Sequence, residues 1–285
     1  DRAGICTPEA WVLRPKRGID PHFALYRLAA ADVIDTAVAS SAGSRMPRAR
    51  WTAVGEMPVC WPSLEDQRRL AELPRALDAQ RASERVAVAA ALALARAFLR
   101  AAPSTRRTVG SLAHCPKRGG VWDRVDAPYI SVGDLEAGRL AVERWGEAKD
   151  YTSAQQWVER GDILFSRIRP ALRKVALCPV DGRSTPELLA IRAHDPADCG
   201  TLAVVLSSEE TVARAIAVAT GTRMPRLDWG RLARIEVDWP LPSAPLRDAM
   251  NAVMEHVLAS VDLRRTAARL RDQAIAHHLQ PAARV

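Results

Sequence analysis

Arg-Met-Pro-Arg stands at residues 45–48 and again at 223–226, each time with Trp three residues after its last Arg. Thr-Pro-Glu occurs at 7–9 and 185–187, and Trp-Pro at 61–62 and 239–240, all displaced by the same 178 residues. Aligned without gaps at that offset, residues 4–62 match residues 182–240 at 18 of 59 positions. Unrelated sequences would share only a handful. A repeat this long constrains the fold more than any other feature, because two copies of one pattern must build two copies of one substructure.

Each copy runs through Trp-Pro into a long helical segment. The first, 63–102, opens with Ser63 as N-cap and acids in the first turn. Leu70, Leu73 and Leu77 recur at helical spacing, as do Val86, Ala89 and Leu92 further on. Pro74 falls inside the pattern and is expected to kink or break the helix near its start. The second, 243–280, carries Met250, Val253, Val257 and Val261, then Leu263, Ala267 and Leu270. There the offset becomes 180, which aligns Gln67 with Arg247. Segments of nearly forty residues with narrow apolar stripes need a partner, and the two are expected to pair antiparallel.

Between them, Gly119-Gly120, Gly133, Gly138 and Gly161-Asp162 punctuate short β-prone runs such as PYISV, DILFSRI and RKVALCPV. That makes residues 103–242 an α+β domain, of which residues 1–62 repeat only the later portion. What would correspond to 108–178 is missing before Asp1, so the chain reads as a fragment or processed product.

A length of 285 residues allows two cores. The net charge of +8 favours a polyanionic partner, most often nucleic acid. The cysteines, at 6, 60, 115, 178 and 199, have no C-x-x-C spacing and read as apolar residues of a reducing, cytoplasmic compartment, not as a metal site. The most apolar run, 86–99, is too short for a membrane span and contains Arg96. No Gly-rich cofactor loop, methylation motif of the Asn/Asp-Pro-Pro-aromatic type or H-E-x-x-H occurs, and no catalytic residues are assigned.

PYISVGDLEAGRL at 128–140, GDILFSRIRPALRKVAL at 161–177, STPELLAIR at 184–192, G-x-R-M-P-R at 43–48 and 221–226, and WPSLEDQRRLA at 61–71 give the chain its likeness to known proteins. In their order and duplication these resemble the specificity (S) subunit of type I restriction–modification systems. The resemblance implies an α+β fold with duplicated target-recognition domains, the first partial, separated by two long antiparallel coiled-coil helices. The expected boundaries are 1–62 and 103–242 for the recognition domains, and 63–102 and 243–285 for the helices. It implies a non-catalytic subunit that reads a bipartite site in double-stranded DNA for methyltransferase and restriction/translocase subunits. S-adenosylmethionine then belongs to the methyltransferase partner, with no cofactor on this chain and no membrane association. Gln67, Leu70 and Leu77 are expected to face the partner, although the second helix entry, WPLPSAPLRDA, lacks the Glu and Gln of the first. The alternative is the C-terminal recognition part of a fused restriction–methylation enzyme.

Two clusters suit DNA. Ser166, Arg167, Arg169, Arg173 and Lys174 form a basic hairpin without an acid, in which an extended strand would aim Arg167 and Arg169 the same way. Such cations grip phosphate, and Arg also reads guanine bidentately; a merely solvated basic hairpin has the same pattern. Arg45 and Arg48, and Thr222, Arg223 and Arg226, flank prolines after Gly43 and Gly221, which suits a rigid phosphate-gripping loop. Met46, Met224, Trp51 and Trp229 are expected to seat that loop on the core. A purely structural loop kept by both copies is the competing reading. Ser184 and Thr185 suit an ST-turn, and His277-His278 a helix terminus.

Overall fold

The computed structural model describes residues 5–43, 47–116 and 126–278. Arg45, Met46 and Gly119-Gly120 lie outside the described residues, as do the side chains of His277 and His278. The chain forms two compact units, residues 1–82 with 266–285, and residues 83–265. The division runs through both long helices, so each unit contains a stretch of each.

The first unit begins with α1 (Pro21–Leu28), α2 (Ala31–Ala39) and α3 (Trp51–Gly55), then enters α4 (Leu64–Ala101). The second follows with β1 (Ser104–Thr108), α5 (Val109–Leu112), β2 (Ala113–His114), β3 (Pro128–Ile130), β4 (Gly146–Glu147) and β5 (Gln156–Val158). It continues with β6 (Ile163–Ser166), β7 (Val175–Leu177), β8 (Gly182–Ser184), β9 (Leu188–Ala193), α6 (Cys199–Leu206), α7 (Glu209–Val218), α8 (Trp229–Ala233) and β10 (Glu236–Pro240). The last element is α9 (Ala244–His278). The strands form three sheets, ordered β1-β10, β2-β9-β6-β7 and β4-β3-β8-β5, antiparallel except for the β3–β8 pair.

The helices of the duplication are reproduced one by one. α6, α7 and α8 start 178 residues after α1, α2 and α3 (199 less 21, 209 less 31, 229 less 51). The strands are not duplicated. Residues 10–15, the counterparts of β9, form no strand, and the described part of unit 1 holds only an isolated Ala42–Arg48 bridge. β9 is buried because β2 and β6 flank it; Trp11, Val12 and Leu13 have no such neighbours and are exposed.

Ser63 caps α4 as expected, its hydroxyl accepting the Asp66 N–H at 3.1 Å. Pro74 does not break the helix, which runs unbroken to Ala101 with Pro74 buried. The long helices pack together in each unit, but along a seam one residue away from the expected leucines. On α4 the inward positions are Gln67, Ala71, Pro74, Asp78, Arg81, Arg85, Val88, Leu92, Ala95 and Leu99, alternating by four and three. Leu73, Val86, Leu263 and Leu270, expected in the stripe, are exposed. In unit 2, Val88, Leu92 and Ala95 share a core with Met250, Val257, Leu258 and Val261, the β6–β9 sheet face and α6. In unit 1, Ala71 and Ile275 close over Phe23, Tyr26 and Ala30 of the small helices. α6 lies against α9 so closely that a Cβ at Gly200 would stand 2.3 Å from the Met250 carbonyl oxygen.

Candidate nucleic-acid interface

The basic hairpin leaves its sheet sooner than its sequence suggests. β6 ends at Ser166, which is 1% exposed and donates its hydroxyl hydrogen to the Ile168 carbonyl at 2.9 Å. Ser166 therefore shapes the turn and is sealed from a ligand. Arg169 and Arg173 adopt φ of 47° and 53° on either side of a short 3-10 turn, Pro170–Leu172. Strand alternation has stopped by then, so Arg167 and Arg169 do not share a strand face. A non-glycine residue with left-handed φ is uncommon and costs energy. Here the flanking hydrogen bonds impose it twice: Ser166 N–H to Lys174 C=O (3.0 Å) and Arg169 N–H to Pro225 C=O (2.9 Å).

Two of the four hairpin cations are turned to internal work. Arg167 is half-buried and donates to the carbonyls of Pro186 (3.2 Å) and Leu227 (3.4 Å). Lys174 donates to the Val132 carbonyl at 2.8 Å. Arg173 pairs with Glu209 at 2.9 Å. Arg169 is exposed and forms no ion pair among the described residues.

The same turn receives two other segments. Arg167 N–H donates to Glu187 C=O (2.8 Å), and Leu227 N–H donates to Arg167 C=O (2.8 Å). Thr-Pro-Glu and the Gly221 loop are thus sewn to the hairpin by backbone bonds. The loop is closed by reciprocal bonds between Thr220 and Arg226, with Gly221 at φ 103°. A Cβ there would meet the Met224 carbonyl oxygen at 3.2 Å, so both backbone angle and space favour glycine. Thr222 and Arg223 at the tip are exposed, and Arg223 has no ion-pair partner among the described residues. Met224 is 45% exposed rather than packed, whereas Trp229 rests against the core. In unit 1, Ala42 and Arg48 close the counterpart loop with Gly43 at φ 115°, and exposed Trp51 meets Trp11 edge-on at 5.2 Å.

Sequence reading missed the carboxylates. Glu187 accepts from Arg226 at 2.9 Å, and Glu9 accepts from Arg48 through two bonds, at 2.7 and 2.9 Å. The signal was present, since Glu and Arg are 39 residues apart in both copies. Asp228 caps α8, and its carboxyl lies below the usual range, chiefly because it accepts the Arg231 N–H and then through the charges of Arg231 and Arg167.

Gln67, expected to face a partner, is 1% exposed. Its amide accepts the Asp20 N–H and donates to the Gly18 and Pro62 carbonyls, fastening the start of α4 to the turn before α1. Arg247 performs the matching task in unit 2, bonding Asp198 at 2.8 Å, 178 residues beyond Asp20. Gln67 is therefore a clasp within its own unit. Leu70 and Leu77 are half-buried at the margin of the seam. No group of metal-ligating side chains occurs among the described residues, and none of their helices is long and apolar enough to cross a membrane.

No family model and no curated protein matches the chain. Solved structures do. The type I restriction-modification S subunit from M. genitalium is 12% identical, with a TM-score of 0.52 over 93% of this chain and 74% of that one. The HsdS subunit from Thermoanaerobacter tengcongensis is 15% identical, with a TM-score of 0.37 over 91% of this chain and 70% of that one. The resemblance read from the sequence holds at the level of fold: mixed helix and sheet, with two long helices packed together.

Proposed function

We propose that this chain is a sequence-specific DNA-recognition subunit of a type I restriction–modification complex. It has no catalytic site of its own and directs methyltransferase and restriction/translocase partners to a bipartite site in double-stranded DNA. The observation that carries the reading is the convergence of the hairpin turn, Thr-Pro-Glu and the Gly221 loop on one edge of unit 2, in a chain with the fold of an S subunit. Arg169 and Arg223 are the cations free to meet DNA, with Arg226 and Arg173 available by exchange of exposed ion pairs. Arg167 and Lys174 set the shape of that edge from within. S-adenosylmethionine is assigned to the methyltransferase partner.

Docking of the partner falls to apolar side chains that the seam leaves outside. Leu73, Val86, Leu94, Phe98, Leu263 and Leu270 are exposed on α4 and α9. Leu73→Asp is expected to abolish co-purification with the methyltransferase while the chain itself stays folded.

The test of DNA recognition is a salt titration of duplex binding. Log K should fall linearly with log salt. Arg169→Ala or Arg223→Ala should lower the slope by about one if the lost contact is to phosphate, or cost about 1–3 kcal/mol on one sequence only if it reads guanine. Unchanged affinity and slope in both variants would place DNA on another face.

A further inference from the structure

The Glu187–Arg226 pair has a twin, Glu9–Arg48, at the same offset as the whole repeat. Both partners survive in copies that agree at only 18 of 59 positions. Stability does not account for this. The Arg226 and Glu187 side chains are 55% and 35% exposed, and such surface pairs add little to folding. The loop is already closed by the backbone bonds between Thr220 and Arg226, and Glu187 is already tied by its own carbonyl to Arg167. The carboxylate is an addition to an edge that is otherwise held together.

Its chemistry at a cationic edge is specific. A phosphate that takes Arg226 must displace the Glu187 carboxylate and then lie beside a like charge. That is repulsion of the kind that separates partners rather than strengthening one. A duplex held only by its backbone meets this repulsion wherever it lands. A duplex whose bases also make contacts offsets it.

We propose that Glu187 is a specificity-determining residue that holds Arg226 back from DNA phosphate until a fitting site displaces it, with Glu9 in the same relation to Arg48. This rests on the DNA-recognition reading above. The experiment uses the full chain and a mixed-sequence duplex, with affinity measured across a salt series for wild type, E187Q, R226A and the double variant. E187Q should bind about fivefold tighter, the factor expected when a like charge near 4 Å in water is removed. Its salt slope should steepen by about one as Arg226 becomes a phosphate contact. R226A alone should change little, and the double variant should lose the gain of E187Q. If wild type binds but E187Q binds equally or more weakly with the same slope, the pair is only a tie in the loop and this proposal falls while DNA recognition stands. A large loss in R226A alone also overturns it, because Arg226 would then already be on the phosphate. If neither wild type nor E187Q binds at low salt, both readings fall.

Discussion

Arg169 occupies left-handed backbone because its neighbours leave no other path, so its side chain and its strain can be separated. Arg169→Gly removes the cation and relieves about 1 kcal/mol or more of strain. Melting temperature should hold or rise while duplex affinity falls; a fall in both would mean the side chain supports the fold. Glu143 is a different kind of charge. It receives Arg85 at 2.5 and 3.2 Å and lies 3.5 Å from Arg264 Nη2, an ion pair without a hydrogen bond. Arg85 belongs to α4 and Arg264 to α9, so this one carboxylate separates two like charges in the seam. Burial pushes the Glu143 carboxyl up, but the Arg85 hydrogen bond and the charges of Arg264, Arg85 and Arg139 outweigh it, and the carboxyl sits below its ordinary range. With the folded value depressed, its stabilisation is present above the unfolded carboxylate range and is lost as pH falls through the folded value. Glu143→Gln should cost on the order of 3 kcal/mol at neutral pH, since it leaves the buried Arg264 without its counter-charge, while the part-exposed Arg85 adds little. Thermal melting of wild type and variant should converge in acid; a constant gap would mean the effect is packing, not charge.

The helices show what periodicity can and cannot reveal. Where each begins was legible to within one residue, because Ser63 with its first-turn acids and the repeated Trp-Pro mark the entries. The inward face was legible on α9, where Met250, Val257, Val261 and Ala267 are buried as expected, but not along most of α4. Gln67, Asp78, Arg81 and Arg85 occupy seam positions on α4, so a search for leucines finds the neighbouring stripe instead. Those polar residues are tolerated because each meets a partner: Arg81 pairs with Asp78 one turn away, whereas Asp78 also takes Arg271 and the Tyr26 hydroxyl, Arg85 takes Glu143 and Gln67 takes Asp20 and Gly18, all far along the chain. Partners so remote leave no local pattern. The basic edge was legible for the same reason in reverse, as charge density and the duplicated glycine are local features, whereas the inward turn of Arg167 depends on Pro186 and Leu227. The register makes a sharp comparison. Leu92→Ala should cost about 2–5 kcal/mol as a buried deletion, whereas Leu73→Ala should stay within about 0.5 kcal/mol. Chemical denaturation of both variants decides it, and equal losses would restore the leucine stripe.

Across the whole molecule, one pair of helices contributes to two cores that, among the described residues, have no other element in common. Ile275, near the end of α9, is buried against Phe23, Tyr26, Ala30 and Ala71. Ile275→Ala should therefore cost about 2–5 kcal/mol in the first unit, read as faster amide exchange in α1 and α2 with the sheets of the second unit still protected. Uniform loss of protection would show that the two units unfold as one. The arrangement also has a consequence for the order of events in the cell. Ala71 leaves the ribosome roughly two hundred residues before Ile275, a wait of about 10–40 s at ordinary rates of translation. During that wait the part made first stands with its apolar face open, while the part made second can already close on most of its own sheet. The unit holding α1 to α3 is thus completed only once the end of α9 has been made.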